Sequence, residues 1–170
     1  LPTQIGALTT AQVNALTTEQ ANGLLLSQIS AMQQVDLAAM TSTNVQALSS
    51  SQLNALTFSQ VSNLTTAFLN ALTTEQISSL KAADITAMTQ TQLINLSTDN
   101  LAALRSDQIQ AIKLSNLAAL TTDQVVSLTT DQAQALTGLQ VAVLTTSQVA
   151  VLTTDQIQAI DTADVAVMTV

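Results

Sequence analysis

Hydrophobic residues return along this chain with a period of eight. A column of Leu, Met or Ile begins at Leu8 and continues every eight residues to Met168, which makes 21 octads without an insertion or a deletion. We letter the positions of each octad a to h, so that this column is slot h. Slot e is Ile, Val or Leu in 19 octads, slot g is Ala in 13, and slot d is Gln in 14. The consensus octad is therefore T-T-x-Q-V-x-A-L.

A period of eight fits neither a continuous helix nor a continuous strand. An uninterrupted α-helix turns through about 800° in eight residues, so the slot h column would wind around every side of it. In an uninterrupted strand, slots e and h would point to opposite faces. Within one octad, however, slots e and h are three residues apart and share one helical face. The pattern therefore predicts a short helix that restarts in every octad.

Thr in slot a and Gln in slot d indicate where each helix begins. T-x-x-Q is the capping box: the Thr hydroxyl accepts a hydrogen bond from the third helical N–H, and the Gln side chain reaches back to the N–H of the Thr. All eleven acidic residues occupy slots a, c or d, near the helix start, where the helix dipole favours negative charge. We predict that each octad is one helix of about six residues and a corner that caps the next helix.

Helices this short are marginal alone, so they must stack on one another. We predict an all-α solenoid of about 21 octapeptide repeats, forming a single continuous array over residues 1–170 that belongs to a longer array. Three or four octads are expected in each turn. Slots e and h should be buried, whereas slots a to d should face solvent or form corners. The alternative is a β-solenoid, which is disfavoured because its tight corners usually need Gly and the chain has three.

The composition excludes several classes of function. Three basic residues against eleven acidic ones give a net charge of -8, which is the wrong sign for nucleic acid or anionic lipid. The chain has no Cys, His, Trp or Tyr, which removes thiol and imidazole nucleophiles and the usual zinc ligands. Its apolar runs are much shorter than the roughly 20 residues of a membrane span, so no membrane insertion is expected within this segment.

No candidate for chemistry remains after these exclusions. Carboxylates that recur eight apart, such as Asp123 and Asp131, are explained as first-turn residues. The cations Lys81, Arg105 and Lys113 all occupy slot a, where they lack a capping hydroxyl and should point to solvent. We therefore predict no catalytic residues, no cofactor and no metal, and a protein that is not an enzyme.

Departures from the consensus are the candidate contact residues. Bulky or apolar side chains interrupt slots a to d, and the two Phe residues are the chain's only aromatics. These departures can be explained as neutral changes or as a local part of the core. The alternative is that they make lateral contact with another copy or with neighbouring octads. The candidate lateral-contact residues are Phe58, Phe68, Leu25, Leu26, Leu114 and Leu139, with the segment Gln33, Gln34 and Val35 as a further departure.

Tandem blocks such as ALTTEQ at 71–76, LTTDQVVSLTTDQAQAL at 120–136 and VAVLTTSQVAVLTTDQIQAI at 141–160 extend this pattern through the chain. In repeat style it resembles the Leu-Thr-Thr-rich octad arrays of very large bacterial cell-surface and secreted proteins, of the adhesin-like and RTX-like kind. The resemblance implies an extracellular or cell-surface structural protein, namely a stalk, fibre, filament or sheath that self-associates. The alternatives are a module that binds a partner along its repeated face and an ice-binding array of Thr side chains.

Overall fold

The computed structural model describes residues 8–166, and all the regular secondary structure in that range is helical. The helices are four to six residues long and recur once per octad. The β-solenoid alternative is therefore wrong for this part of the chain, because none of its residues lies in a strand. The helices are α1 Thr10–Asn14, α2 Thr18–Asn22, α3 Leu26–Ala31, α4 Gln34–Ala39, α5 Ser42–Ala47, α6 Ser50–Leu53, α7 Phe58–Ser62, α8 Thr66–Ala71, α9 Thr74–Ser79, α10 Ala82–Ala87, α11 Gln90–Ile94, α12 Thr98–Ala102, α13 Ser106–Gln110, α14 Leu114–Leu117, α15 Thr122–Ser127, α16 Thr130–Ala135, α17 Gly138–Ala142, α18 Thr146–Val151, α19 Thr154–Ala159 and α20 Thr162–Val165.

Two extended residues form the corner between consecutive helices. In a representative octad, the slot a residue Thr121 has φ -68° and ψ 158°, and Leu128 in slot h has φ -60° and ψ 135°. Both conformations are open to any L-amino acid. No described residue has a positive φ, so these corners place no demand for glycine on the sequence.

The chain divides into two compact units, Leu1–Ala87 and Met88–Val170. Within each unit a helix packs against the third helix along the chain, as α2 does on α5 and α13 on α16. Side-chain hydrogen bonds reach the octad four places earlier, as from Gln52 to Leu24 and from Gln132 to Leu104. One turn therefore takes more than three and fewer than four octads. The predicted α-solenoid architecture is confirmed, while a single continuous array stays a prediction.

The core is formed by the two columns that the pattern assigned to it. In α15 and the corner that follows it, Val125 in slot e and Leu128 in slot h are 1% and 5% exposed. Burying a side chain of this kind stabilises the fold by about 1.5 to 3 kcal/mol. The same two slots supply the largest fully buried aliphatic side chains, among them Ile29, Leu37, Leu53, Leu69, Ile77, Ile85, Met88, Leu93, Leu101, Ile109 and Leu117.

Candidate functional site: the slot d ladder and the exposed apolar residues

The predicted capping box is present and is made by two reciprocal hydrogen bonds. The backbone N–H of Thr121 donates to Oε1 of Gln124 over 3.1 Å, and the N–H of Gln124 donates to Oγ1 of Thr121 over 3.2 Å. These bonds satisfy two backbone donors that the start of a helix otherwise leaves without partners. The same box caps the helices that follow Thr9, Thr17, Ser49, Thr57, Thr73, Thr89, Thr129, Thr137, Thr145 and Thr153.

Slot d points inward, so the expectation that slots a to d all face solvent or corners is wrong for this slot. Gln124 and Gln132 are 3% and 2% exposed. Early in the described range, where Gln12 and Gln20 occupy the slot, the side chains are exposed. The burial of slot d therefore depends on a neighbouring turn rather than on the octad itself.

The buried Gln side chains join successive turns through their amide nitrogens. Nε2 of Gln132 donates to the carbonyl oxygens of Leu101 at 2.9 Å and Leu104 at 2.7 Å, and Ala102 O lies 3.1 Å away. These carbonyls occupy slots e, h and f of the octad four places earlier. A short helix leaves its last carbonyls without intrahelical partners, and the Gln amide supplies donors to them. We call this repeated set of bonds the slot d ladder.

The slot d ladder recurs in both units with the same spacing in sequence. In the first unit, Gln52 bonds to Ala21 O, Asn22 O and Leu24 O, while Gln60 bonds to Ile29 O and Met32 O. In the second unit, the ladder continues through Gln124, Gln140, Gln148 and Gln156. Each Gln therefore caps its own helix with Oε1 and ties that helix to an earlier turn with Nε2.

This double role explains why slot d holds Gln rather than Glu. Either residue completes a capping box, because only the oxygen is needed for it. Only the amide can also donate to carbonyl oxygens, whereas a carboxylate would bring negative charge to them. Slot d never contains Glu, and both glutamates, Glu19 and Glu75, occupy the outward slot c. This preference for Gln over Glu is visible in the sequence and indicates that slot d needs a donor as well as a cap.

Asparagine preserves part of the ladder with a shorter side chain. Nδ2 of Asn44 donates to Leu16 O at 2.9 Å, and Nδ2 of Asn116 donates to Met88 O at 3.1 Å. Both acceptors are slot h carbonyls of the octad four places earlier. The bond to the slot h carbonyl therefore needs an amide group but not the full length of a Gln side chain.

Aspartate changes the chemistry of the slot in the octad that begins at Lys81. Oδ2 of Asp84 accepts a hydrogen bond from the Lys81 N–H over 3.0 Å, which caps the helix. Burial raises the pKa of Asp84, and the backbone hydrogen bond and the charge of Lys81 oppose that rise. Nζ of Lys81 donates to the carbonyl oxygen of Asn54, which belongs to the octad four places earlier. An ionised aspartate has no hydrogen-bond donor, so Lys81 supplies the donor to the earlier turn in this octad.

The second slot a cation with a described partner is Arg105. It is exposed, as predicted, and forms a two-point contact with Asp107, with Nε to Oδ1 at 3.0 Å and Nη2 to Oδ2 at 2.9 Å. The hydrogen bond from the guanidinium lowers the pKa of Asp107. Because both side chains are in water, the pair contributes little to stability.

Slot f provides a second set of amide bonds, which run towards later octads. Asn54 donates to Ser79 O at 3.0 Å, and Gln110 donates to Ala135 O at 3.1 Å. Each acceptor is a slot g carbonyl three octads later. Carbonyls of the short helices thus receive side-chain donors from neighbouring turns in both directions.

Five of the six candidate lateral-contact residues lie on the surface and one does not. Leu25, Leu26, Phe58, Leu114 and Leu139 are exposed. Phe68 is 3% exposed, so its ring lies inside the array among neighbouring octads and is not open to another copy. Phe68 occupies slot d, and its ring is buried with that slot. Among residues 8–166, Val35 in slot c and Val126 in slot f are the other exposed large apolar residues.

Between residues 8 and 166, the acidic side chains form no group of three that could hold a metal ion. Over the same range, every helix is too short to cross a membrane.

A known repeat family resembles part of this chain. The model of a family described as the ALTTAQ repeat matches residues 29–66. No curated protein matches the chain. The matched segment includes parts or all of the octads that carry α3 to α8, so the chain contains a recognised repeat within its helical array.

Proposed function

We propose that this protein is a non-enzymatic structural array, serving as an extracellular or cell-surface stalk, fibre or filament. The observation that carries the proposal is the slot d ladder. Gln52 in the first unit and Gln132 in the second make equivalent bonds to backbone carbonyls of the octad four places earlier. Because the acceptors are backbone groups, each octad can be joined to the array whatever residues fill its outer slots.

Repetition of this kind makes length an adjustable property. In a solenoid, stability is close to a sum over repeats and their neighbouring interfaces. Octads can therefore be added or removed by evolution without disturbing a unique centre. A stalk or fibre needs this property, whereas an enzyme depends on particular residues held at one place.

The proposal is tested by lengthening the chain in phase. A second copy of residues 9–160 inserted after Ile160 keeps every slot in register, because slot h is again followed by slot a. Helices pack about 8 to 10 Å apart, so 19 more octads should add roughly 50 Å to the longest dimension measured by small-angle X-ray scattering. A dimension that grows only as expected for a compact globule of twice the mass would refute the stalk.

A matched control separates register from added mass. Insertion of residues 13–160 at the same point adds almost the same length of chain, but slot e then follows slot h, so the inserted octads are four slots out of phase with those before them. The slot d amides next to this junction no longer meet the carbonyls of slots e and h, so this variant should show lower helical content by circular dichroism and a lower melting temperature than the in-phase variant. If both insertions are equally helical and equally stable, the octad is not the unit from which the array is built.

The location is tested on intact cells of the source organism. Antibodies against the array should label unpermeabilised cells or secreted fibres seen by electron microscopy. Labelling that requires permeabilisation would contradict the extracellular assignment while leaving the structural role intact.

A further inference from the structure

The slot d ladder gives each stacked octad two edges with opposite hydrogen-bonding capacity. The donor edge carries the slot d amide, and the acceptor edge carries the backbone carbonyl oxygens of slots e and h. Octad 121–128 uses both edges, because Gln124 donates to Leu96 O while Leu128 O accepts from Gln156. The bonds of the ladder therefore run from a later turn to an earlier one.

In the first turn of the described range, the donor edges lack carbonyl partners. Gln12 and Gln20 are exposed, and each uses Oε1 to cap its own helix. Nε2 of neither side chain makes a hydrogen bond within residues 8–166. The acceptor edges of the same two octads are in use, because Asn44 and Gln52 donate to them. These octads thus present donors without acceptors.

Octads 145–152 and 153–160 of the second unit have the opposite arrangement. Their donor edges are in use, because Gln148 and Gln156 donate to slot h carbonyls of an earlier turn. On their acceptor edges, the carbonyl oxygens of Leu152 and Ile160 accept from no side chain in the described part of the chain. These octads thus present acceptors without side-chain donors.

The unpaired donors and the unpaired acceptors have the spacing of the ladder itself. Gln124 and Gln132 are eight residues apart, and so are the carbonyls of Leu96 and Leu104 to which they donate. The two unpaired donors of the first turn are also eight residues apart, as are the two unpaired slot h acceptors of the second unit. One set is therefore the partner that the ladder supplies to the other.

Apolar slots that are buried elsewhere are half-buried in the octads with unpaired edges. Slot h is half-buried at Leu16 and Leu24 in the first unit, and slots e and h are half-buried at Val149 and Leu152 in the second. By comparison, Leu128 is 5% exposed. A further turn stacked on these octads would remove apolar surface from water, which favours the contact.

Carboxylates close to both edges are compatible with stacking. Slot c is acidic at Glu19 in the first turn and at Asp155 in octad 153–160. Within the second unit, Asp123 and Asp155 occupy slot c of octads four places apart, and both are exposed. Gln156 nevertheless joins those two octads through a bond of 2.6 Å to Leu128 O. Acidic slot c residues therefore do not prevent the ladder from forming.

We propose that the donor edge at Gln12 and Gln20 stacks on the acceptor edge at Leu152 and Ile160 of a second copy of this chain. The occupant is a second copy because this contact continues the turn-to-turn interface already present in both units. A head-to-tail contact of this kind leaves one donor edge and one acceptor edge unpaired in every complex, so further copies can add. The inference rests on the proposed structural role and assigns the end-to-end contact of a filament.

Sedimentation velocity of the full chain over a range of concentrations tests this stacking. Species larger than a dimer should form, and their average mass should keep rising with concentration. Gln12→Glu and Gln20→Glu should each raise the dissociation constant at least about tenfold, because a carboxylate cannot donate to a carbonyl. Each glutamate keeps an oxygen that can cap its helix, so circular dichroism should show an unchanged fold.

Two further variants separate the lost donor from the added charge. Gln134→Glu adds the same charge at an exposed slot f position and should leave the dissociation constant unchanged. Gln20→Asn should retain the association, because Asn44 reaches a slot h carbonyl with an amide of that length.

Three results would each overturn the proposal. They are a chain that stays monomeric at about 1 mM, a dimer that grows no further, and an association weakened as much by Gln134→Glu as by Gln20→Glu. None of them would affect the lengthening experiment, which depends on stacking within one chain and not between copies.

Discussion

Nε2 of Gln132 lies 2.7 Å from the carbonyl oxygen of Leu104, 28 residues earlier in the chain. The same Gln accepts a hydrogen bond from the N–H of Thr129 over 3.0 Å through Oε1. One side chain therefore links the start of its own short helix to the end of an earlier one. Helices of this length leave most backbone N–H groups at their start and C=O groups at their end without intrahelical partners. The oxygen of the Gln amide accepts from such an N–H group, and its nitrogen donates to such carbonyl groups.

Gln132→Glu should separate these two roles. The carboxylate can still accept from Thr129, but it cannot donate to Leu104 O and would be buried beside carbonyl oxygens. We expect the free energy of unfolding to fall by about 3 kcal/mol, as for a buried polar contact replaced by an uncompensated charge. Urea unfolding measures the change.

The matched control is Gln134→Glu, two residues along the same helix at an exposed position. It should alter stability by less than about 0.5 kcal/mol. Equal losses at the two positions would show that the ladder contributes nothing beyond a general effect of added negative charge.

Asp84→Asn should stabilise the protein at neutral pH. Burial raises the pKa of Asp84 above its ordinary value of 3.8, so the neutral carboxyl favours the folded state. That stabilisation is fully present below pH 3.8 and is lost as the pH rises through the folded-state pKa. Asparagine is neutral at every pH and can donate to the earlier turn, as Asn44 and Asn116 do.

The expected gain from Asp84→Asn is about 1 kcal/mol at pH 7, the usual net value of a hydrogen bond. It should shrink near pH 3.5, where Asp84 is itself protonated. Thermal unfolding of both proteins at the two pH values checks this, with Asp123→Asn at an exposed position as the control. A gain that is the same at both pH values would exclude ionisation of Asp84 as its cause.

A buried slot and an outer slot in consecutive octads predict unequal effects of truncation. Leu72 in slot h is 4% exposed, and Leu72→Ala should cost about 2 to 5 kcal/mol. Ser78, in slot f of the next octad, donates its hydroxyl only to Glu75 O of its own helix. Ser78→Ala should therefore change little in chemical denaturation. Comparable losses would contradict the assignment of slot h to the interior.

Removal of one whole octad should be tolerated. Deleting Thr121–Leu128 joins Leu120 to Thr129 and preserves the order of slots. The amide of Gln132 would then meet Leu93 O and Leu96 O, the acceptors that Gln124 uses in the intact chain. We expect a folded product whose melting temperature differs by only a few degrees.

Removal of half an octad should be damaging. Deleting Thr121–Gln124 joins Leu120 to Val125, removes one cap and shifts all later slots by four. Later slot d amides would no longer face carbonyls of slots e and h, so helical content and melting temperature should drop clearly. If calorimetry finds the two deletions equally harmful, the modular description of the chain fails.

Local structure in this protein follows from its octad alone. The three-residue spacing of slots e and h predicted a short helix, and Thr with Gln three residues later predicted where such a helix begins. Slot h itself lies just after the helix, as Ile112 does after Ser106–Gln110. Both predictions are confirmed, because they depend on contacts within eight residues. The burial of slots e and h followed as well, since the two columns are apolar in nearly every octad.

The contacts between successive turns depend on the tertiary structure. The sequence of one octad contains no information on which other octads it contacts, and these are the third and fourth octads before it. The burial of Gln132 and of Phe68 could therefore not be predicted from the octad alone. A polar side chain at the start of a helix is ordinarily exposed, and only the carbonyls of an earlier turn make its burial favourable. The sequence determined the repeating helix, whereas stacking determined that its capping residue also holds the turns together.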